Sequence, residues 1–286
     1  ARDMFDAAAD ALAAAWLAEG PEGARGEAGN ARERPGWGEG GTWSDDERQP
    51  GSLVSRMRQE IGARRLPFRV VVLDIAPLAA TGDGAIQVAS RRLVGREDVE
   101  RTVLHEIDGH AAPATRAARM PIGIFALGTA WGSDDQEGRA LWLERKAGFL
   151  GPARRRELGL RHAAARSVER GADFVETARL LLSYGQTHGQ THGQTHGQTH
   201  GQTHGQTHGQ THGQLGEASR APGTRDALRI AARVHRGGGL GREVVYLPAL
   251  LRVEAALAAD LGLGAVLGSG RVAVGAAPAL AAWAGA

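Results

Sequence analysis

The 286-residue chain contains no cysteine. Disulfides and thiolate metal sites are thereby excluded, leaving histidine and carboxylate as the strong side-chain ligands. Net charge is nearly absent too: 34 Lys and Arg face 32 Asp and Glu, a formal +2, and the high sequence pI reflects arginine dominating the bases. No one-sided basic stripe stands out, so nucleic acid is not an expected partner. There is no long apolar run either. The stretch from Leu261 is broken by glycines and Arg271 and ends in an Ala-rich piece with Pro278, which excludes a transmembrane span and leaves no membrane partner expected. The N-terminus lacks the charge pattern of a signal peptide, because Asp3, Asp6 and Asp10 stand where basic residues and then an apolar run belong, and residues 4–18 have the spacing of a surface helix. The expected compartment is the cytoplasm.

With 42% hydrophobic residues, the chain is long enough to bury one large core with tails. Residues 1–51 read as an N-terminal helix followed by a Gly/Glu/Arg-rich flexible segment, and residues 52–286 as the main domain. A tandem Gly-Gln-Thr-His repeat with histidines at 188, 192, 196, 200, 204, 208 and 212 carries no apolar side chain. It cannot join a core, and its glycines, each costing ~1 kcal/mol relative to alanine, defeat a helix. A disordered insertion over 185–214 is expected, a slipped duplication tolerated in a surface loop; the second reading is a weak, pH-dependent metal reservoir.

What is present is concentrated in His105-Glu106-Ile107-Asp108-Gly109-His110 and the later Gln136-Glu137-Gly138. Neutral imidazoles and a carboxylate suit zinc, whose catalytic sites use three protein ligands and keep a position open. His105, His110 and Glu137 are the candidate metal set, one Zn2+ per chain, with Asp134 and Asp135 as nearby competitors for the third place or as caps of the helix around Gln136. Glu106, beside the first ligand, is placed to take a proton from the attacking water. The histidines are five residues apart, which on a regular α-helix separates them by ~140°, too divergent for one ion. The helix therefore has to deform, by a π-bulge or by unwinding at Gly109. His162 and His235 have no partner at ligand spacing.

Val99, Val103 and Ile107 recur at helical spacing with Glu97 and Asp98 in the first turn, so a helix leads into the motif. Phe68 to Ile75 and Ala85 to Ala89 read as strands, the second preceded by a Thr81-Gly82-Asp83-Gly84 turn. An edge strand beside the metal helix could hold a peptide by strand addition. Downstream, helices are expected over about 136–149, 153–170, 173–183, 225–236 and 246–261, with Asp173 and Glu176 at capping-box spacing, Gly237-Gly238-Gly239 as a stop, and Arg154-Arg155-Arg156 as a solvated helix start. The expected fold class is α+β: mostly helical, with a small sheet beside the metal-binding helix.

The motifs His105-Glu106-x-x-x-His110 and Gln136-Glu137-Gly138, in series with Ala172 to Thr177 (ADFVET) and Ala227 to Leu247, resemble the QEGLA-motif zinc peptidases. That family includes the microtubule-associated tyrosine carboxypeptidases and bacterial proteins labelled flavohaemoglobin-expression modulators. The resemblance implies a zincin-like metallopeptidase in which His105, His110 and Glu137 hold zinc and Glu106 is catalytic. It further implies a carboxypeptidase that removes a C-terminal residue, plausibly aromatic such as tyrosine, from a peptide or protein. Arg236 and Tyr246 match a further block. Arg236 is the candidate partner of a substrate carboxylate, since a guanidinium fork matches that group, and Tyr246 the candidate oxyanion donor; the competing readings are a helix-terminal Arg and an amphipathic Tyr at a helix entry. Two departures stand out: Asp108-Gly109 where the family usually has Gly-Thr, and Arg139-Ala140 where it has Leu-Ala. They motivate a second reading, a catalytically silent metal-binding regulator. A third, a dipeptidyl-peptidase-III-like exopeptidase, suits the histidine spacing but lacks that family's double-glutamate motif.

Overall fold

The computed structural model describes residues 2–19, 41–186, 223–236 and 240–284. The histidine repeat and the glycine stop at 237–239 lie outside the described residues. The fold is α+β, mostly helical with a small sheet. Its elements run α1 (Arg2–Ala18), β1 (Thr42–Trp43), α2 (Leu53–Arg64), β2 (Arg69–Leu73), β3 (Ala79–Gly82), β4 (Ala85–Ala89), β5 (Leu93–Val94) and α3 (Arg96–Leu104). A π-helical segment, His105–Ala111, follows directly, then α4 (Ala112–Ala117), α5 (Ile124–Leu127), α6 (Gly132–Lys146), α7 (Pro152–Glu169), α8 (Phe174–Gln186), α9 (Thr224–Val234), α10 (Leu240–Ala259), α11 (Leu263–Leu267) and α12 (Ala277–Ala284). Among the described residues, no helix is long and apolar enough to cross a membrane.

The sheet has the order β2-β4-β3, with β2 parallel and β3 antiparallel to β4. Sequence patterning places a four-residue turn at 81–84, yet only Asp83 and Gly84 turn, both at positive φ. A two-residue hairpin with both centres at positive φ is well served by Asp-Gly, so Thr81 and Gly82 stay in the ladder and β3 becomes the edge strand beside the π-helical segment. β4 is buried through Ile86 and Val88, which pack with Leu53, Val54, Met57 and Ile61 of α2 and with Val99, Val103 and Ile107. The apolar stripe read from the sequence is thus the buried face that fixes the rotation of α3 as it enters the site.

Behind the site, α6 packs on α10 around Leu141, Leu247 and Leu250, joined by Leu158 of α7. Helix α1, which the sequence sets apart with residues 1–51, contributes Ala9, Ala13 and Trp16 to this core and Leu17 to the neighbouring one around Leu160, Ala164 and Ile230, and its Asp10 binds His162 and Arg166 of α7. A helix with four buried side chains and a charged anchor is held by the same burial that holds its neighbours. Helix α10 begins at Leu240 rather than Tyr246, because Val244, Tyr246 and Leu247 already pack on the neighbouring helices; Tyr246 therefore lies inside the helix. At the start of α8, Asp173 and Glu176 exchange the two hydrogen bonds of a capping box.

Candidate metal centre

The five-residue histidine spacing is accommodated by the π-helical segment. In a π-helix the backbone bonds i to i+5, so side chains five apart return to one face, and Ala112 N–H accordingly donates to the carbonyl of Ile107. The His105 and His110 rings lie with centroids 5.1 Å apart. Gly109 has a packing role rather than a conformational one: its φ is not positive, but a Cβ there would stand 2.7 Å from Ala140 Cβ. The absence of that carbon lets the segment approach α6 closely enough to share a site. Gly138 does the same on the other side of α6, where a Cβ would meet the Ala249 backbone at 2.4 Å.

Between them, Glu137 points its carboxylate at both rings. Glu137 Oε2 lies 3.4 Å from His105 Nε2 and 3.6 Å from His110 Nε2, and one donor atom from each residue falls within 4.8 Å of the others. A tetrahedral ion with bonds of about 2.0–2.1 Å separates its ligand atoms by about 3.3–3.4 Å, so the donor set and its spacing fit zinc. Asp135, a competitor in the sequence, is committed elsewhere: it accepts from Arg252 Nε at 2.9 Å and from Val274 N at 2.8 Å. Asp134 lines the cavity described below without joining the metal cluster among the described residues.

Two residues that sequence reasoning missed support this trio. Glu144, with no solvent exposure, lies two turns along α6 from Glu137 and accepts from His105 Nδ1 at 2.7 Å. That bond engages Nδ1 and turns Nε2 toward Glu137, the usual support of a metal-bound histidine. Burial opposes the charge on Glu144, but Arg154 and His105 outweigh it and hold its pKa at about 2. Arg154 donates to Glu144 at 3.0 Å and to Glu157 at 2.8 Å. It is therefore not a solvated helix start, and neither are its neighbours: Arg155 pairs with Glu19, and Arg156 donates to the carbonyls of Leu17 and Tyr184. The start of α7 faces α1, and that contact converts an apparent surface run into partly buried, paired side chains. The second missed residue, Thr81 of β3, donates to Glu106 Oε2 at 2.8 Å and fixes one oxygen of that buried carboxylate. Its only sequence signal is its place beside the Asp-Gly turn.

The electrostatics follow from packing two imidazoles against three carboxylates. Burial disfavours a charged His105, but hydrogen bonds to Glu137 and Glu144 overcome it and push the imidazolium up to about 10. Glu137, despite burial, is held well below the usual carboxylate range by His110 and His105. An ion held by these donors would take the place of a proton between them, and its own charge would satisfy the same carboxylates.

A cavity of about 700 Å³ opens onto the cluster. Its walls include His105, Glu106, His110 and Glu137, edge-strand residues Ala79 to Thr81, and Arg233, Arg236, Glu243, Tyr246 and Arg271. Arg236 and Tyr246 are thus brought to His105, His110 and Glu137 from about a hundred residues or more along the chain. Arg233 is tied to Glu243, as is Arg161 at 2.6 Å, and the Arg161 guanidinium stacks 4.9 Å above the Tyr246 ring. His162 and His235 stay outside the site, the first bound to Asp10 and the second to Thr177. The two departures from the family motif meet each other: Arg139 donates to the Asp108 carbonyl at 2.8 Å, and the Asp108 side chain pairs with Arg64.

Comparison with known proteins matches residues 43–197, more than half of the chain, to the family described as microtubule-associated tyrosine carboxypeptidase. The chain belongs to that family. His105, Glu106, His110, Gln136 and Glu137 lie within the matched residues, whereas Arg236 and Tyr246 lie beyond them. No curated protein and no solved structure gives a match. Membership makes the chain a peptidase of the carboxypeptidase type, with a peptide or protein as its substrate class.

Proposed function

We propose that this chain is a zinc-dependent, zincin-like carboxypeptidase that releases an aromatic C-terminal residue, holding one zinc ion through His105, His110 and Glu137. The observation that carries the reading is the convergence of those three donors with the Glu106 carboxylate in one cavity. Zinc bound there supplies Lewis-acid polarisation of the scissile carbonyl and acidifies its water.

The remaining work falls to side chains. Glu106, one oxygen held by Thr81, takes the proton of the attacking water and returns it to the leaving amine. The Tyr246 phenol, on the cavity wall, donates to the oxyanion as the carbonyl carbon becomes tetrahedral. Arg236, on the same wall, pairs the substrate's terminal carboxylate, and this pairing restricts cleavage to the last peptide bond. Edge strand β3 lines the cavity and offers its free ladder groups to the substrate backbone.

The second reading, a silent regulator, rested on Asp108 and Arg139. Their contacts with each other and with Arg64 lie behind the π-helical segment, and neither lines the cavity, which supports activity. Family membership likewise favours the carboxypeptidase over a dipeptidyl-peptidase-III-like enzyme.

The test is a panel of peptides that differ only in their last residue, each with a free or amidated C-terminus, assayed with and without a chelator. Single-residue release from free C-termini, highest for aromatic residues, abolished by chelation and restored by zinc, is expected. Release that survives complete metal removal would sink the zinc mechanism, and hydrolysis of the amidated peptides at equal rate would sink the carboxypeptidase assignment.

A further inference from the structure

In the motif Gln136-Glu137-Gly138, Glu137 belongs to the donor set and Gly138 to the contact with α10, which leaves Gln136 without a role. It is 8% exposed and lines the cavity. Four buried polar residues share that wall. Three are committed: Glu106 accepts from Thr81, Glu137 faces His105 and His110, and Glu243 takes Arg161 and Arg233. The Gln136 carboxamide has no hydrogen-bond partner among the described residues, and its atoms are not sealed within the core. It therefore opens on the cavity. Solvent can satisfy it there, but a ligand that fills the cavity removes that solvent. A buried amide left unpaired costs about 1–3 kcal/mol. Whatever lies beside Gln136 thus has to offer both an acceptor for its NH2 and a donor for its oxygen.

We propose that Gln136 is a substrate-binding residue that grips the peptide main chain on the N-terminal side of the scissile bond, its carboxamide pairing with the N–H and C=O of one residue. The inference rests on the carboxypeptidase reading above. The chemistry selects a peptide, because in an extended chain the N–H and C=O of one residue point to the same side and suit a group that both donates and accepts. Neutrality matters as well. The wall carries Arg233, Arg236 and Arg271, so a carboxylate finds a stronger partner in a guanidinium, whereas a main-chain amide is matched by another amide. A substrate paired along β3 satisfies only every second residue, and the residues between turn their N–H and C=O away from the strand. β3 and α6 both pack on the π-helical segment, so a chain that passes the donor set lies within walls that both supply.

The experiment measures binding, in zinc-loaded full-length Glu106→Gln protein and in the same protein carrying Gln136→Met. Both are titrated with a short peptide that ends in tyrosine and carries an N-terminal fluorophore, and with its single-ester analogues. In each analogue one amide N–H upstream of the scissile bond is replaced by an ester oxygen. Methionine keeps the unbranched shape of glutamine and removes its hydrogen-bonding groups. One ester position is expected to weaken binding about tenfold where Gln136 is present, the worth of one hydrogen bond, and to make no difference in Gln136→Met. Esters that face β3 should weaken both proteins alike, since the double comparison isolates the pair that meets. Zinc content should be equal in the two proteins, and Gln136→Ala takes the same place in the comparison where Gln136→Met does not fold. Equal losses in both proteins at every position, no binding of the parent peptide, or loss of zinc in Gln136→Met would each overturn the inference. Turnover by the wild type separates the two readings. Cleavage of the parent peptide without any Gln136-dependent ester position sinks the main-chain grip alone, whereas a Gln136-dependent position without cleavage sinks the carboxypeptidase and keeps the grip.

Discussion

Replacing Glu144 by glutamine isolates the support of the proposed metal set from the set itself. Glu144 is fully buried, contributes no metal ligand, and touches His105 Nδ1 at 2.7 Å and Arg154 at 3.0 Å. Glutamine keeps the volume and an oxygen that can accept from the imidazole, but removes the charge that raises the basicity of Nε2. Loss of such a supporting partner commonly costs 10–100-fold in metal affinity, equivalent to about 1.4–2.7 kcal/mol. Arg154 loses one of its two carboxylates in the same step and keeps Glu157, so a stability loss accompanies the affinity loss. Truncation to alanine, which leaves a cavity and a broken buried pair, would cost more, about 3–5 kcal/mol. Competition for zinc against a chromophoric chelator measures the affinity, and urea unfolding in EDTA measures the metal-independent stability. Glu157→Gln serves as the reference: it disturbs Arg154 without touching His105, so it should destabilise the fold and leave zinc affinity unchanged. A folded Glu144→Gln protein that binds zinc as tightly as wild type, or a Glu157→Gln protein that loses as much affinity, would refute the role assigned to the Glu144–His105 bond.

Glu106→Gln should retain zinc and fold but lose about 10²–10⁴-fold in kcat, the usual contribution of a general base; near-normal turnover measured on a good peptide substrate would assign the proton to another group. Arg236→Lys should raise KM for peptides with a free C-terminus and leave amidated ones unaffected, because lysine keeps the charge and loses the fork; an equal effect on both would make Arg236 structural. Gly109→Ala should destabilise by about 1–3 kcal/mol through overpacking, since its new carbon meets Ala140 Cβ at 2.7 Å, and a shorter-range readout, zinc affinity, should fall with it; unchanged melting and affinity would contradict the close approach of the two segments. Stability in EDTA should fall on acidification. Glu144 and Glu243 are both held below the ordinary carboxylate value by buried arginines, so their contribution is complete above pH ~5 and is lost as pH drops through their depressed values. Urea midpoints followed from pH 6 downward check the sign, and a midpoint independent of pH in that window would contradict it.

Much of the site was legible in residue types alone. With no cysteine in the chain, His105, His110 and Glu137 were the strong donors at ligand-like positions, and Glu106 stood beside the first of them. The need for a distorted helix followed from counting residues per turn, because a five-residue spacing and a 3.6-residue period cannot both hold at one ion. The buried stripe of Val99, Val103 and Ile107 followed from periodicity, and the α+β class from strands followed by helices. These are local properties: they depend on residues within a turn or two of one another, and a pattern along the chain records them fully.

Other features belong to the tertiary structure. That Glu144 and not a nearer acid holds His105, that Arg154 is a partly buried partner and not a solvated cation, and that Thr81 reaches Glu106 all depend on which surfaces α6, α7 and β3 turn toward the π-helical segment. The reason for Gly109 also appears only once Ala140 is seen 2.7 Å from the place of its missing carbon. Tyr246 reaches the cavity because α10 packs along α6, an approach permitted by Gly138, and Arg236 reaches it from the end of α9. Contacts between distant elements are set by the joint packing of the whole core, and no spacing rule along one chain encodes where two helices cross.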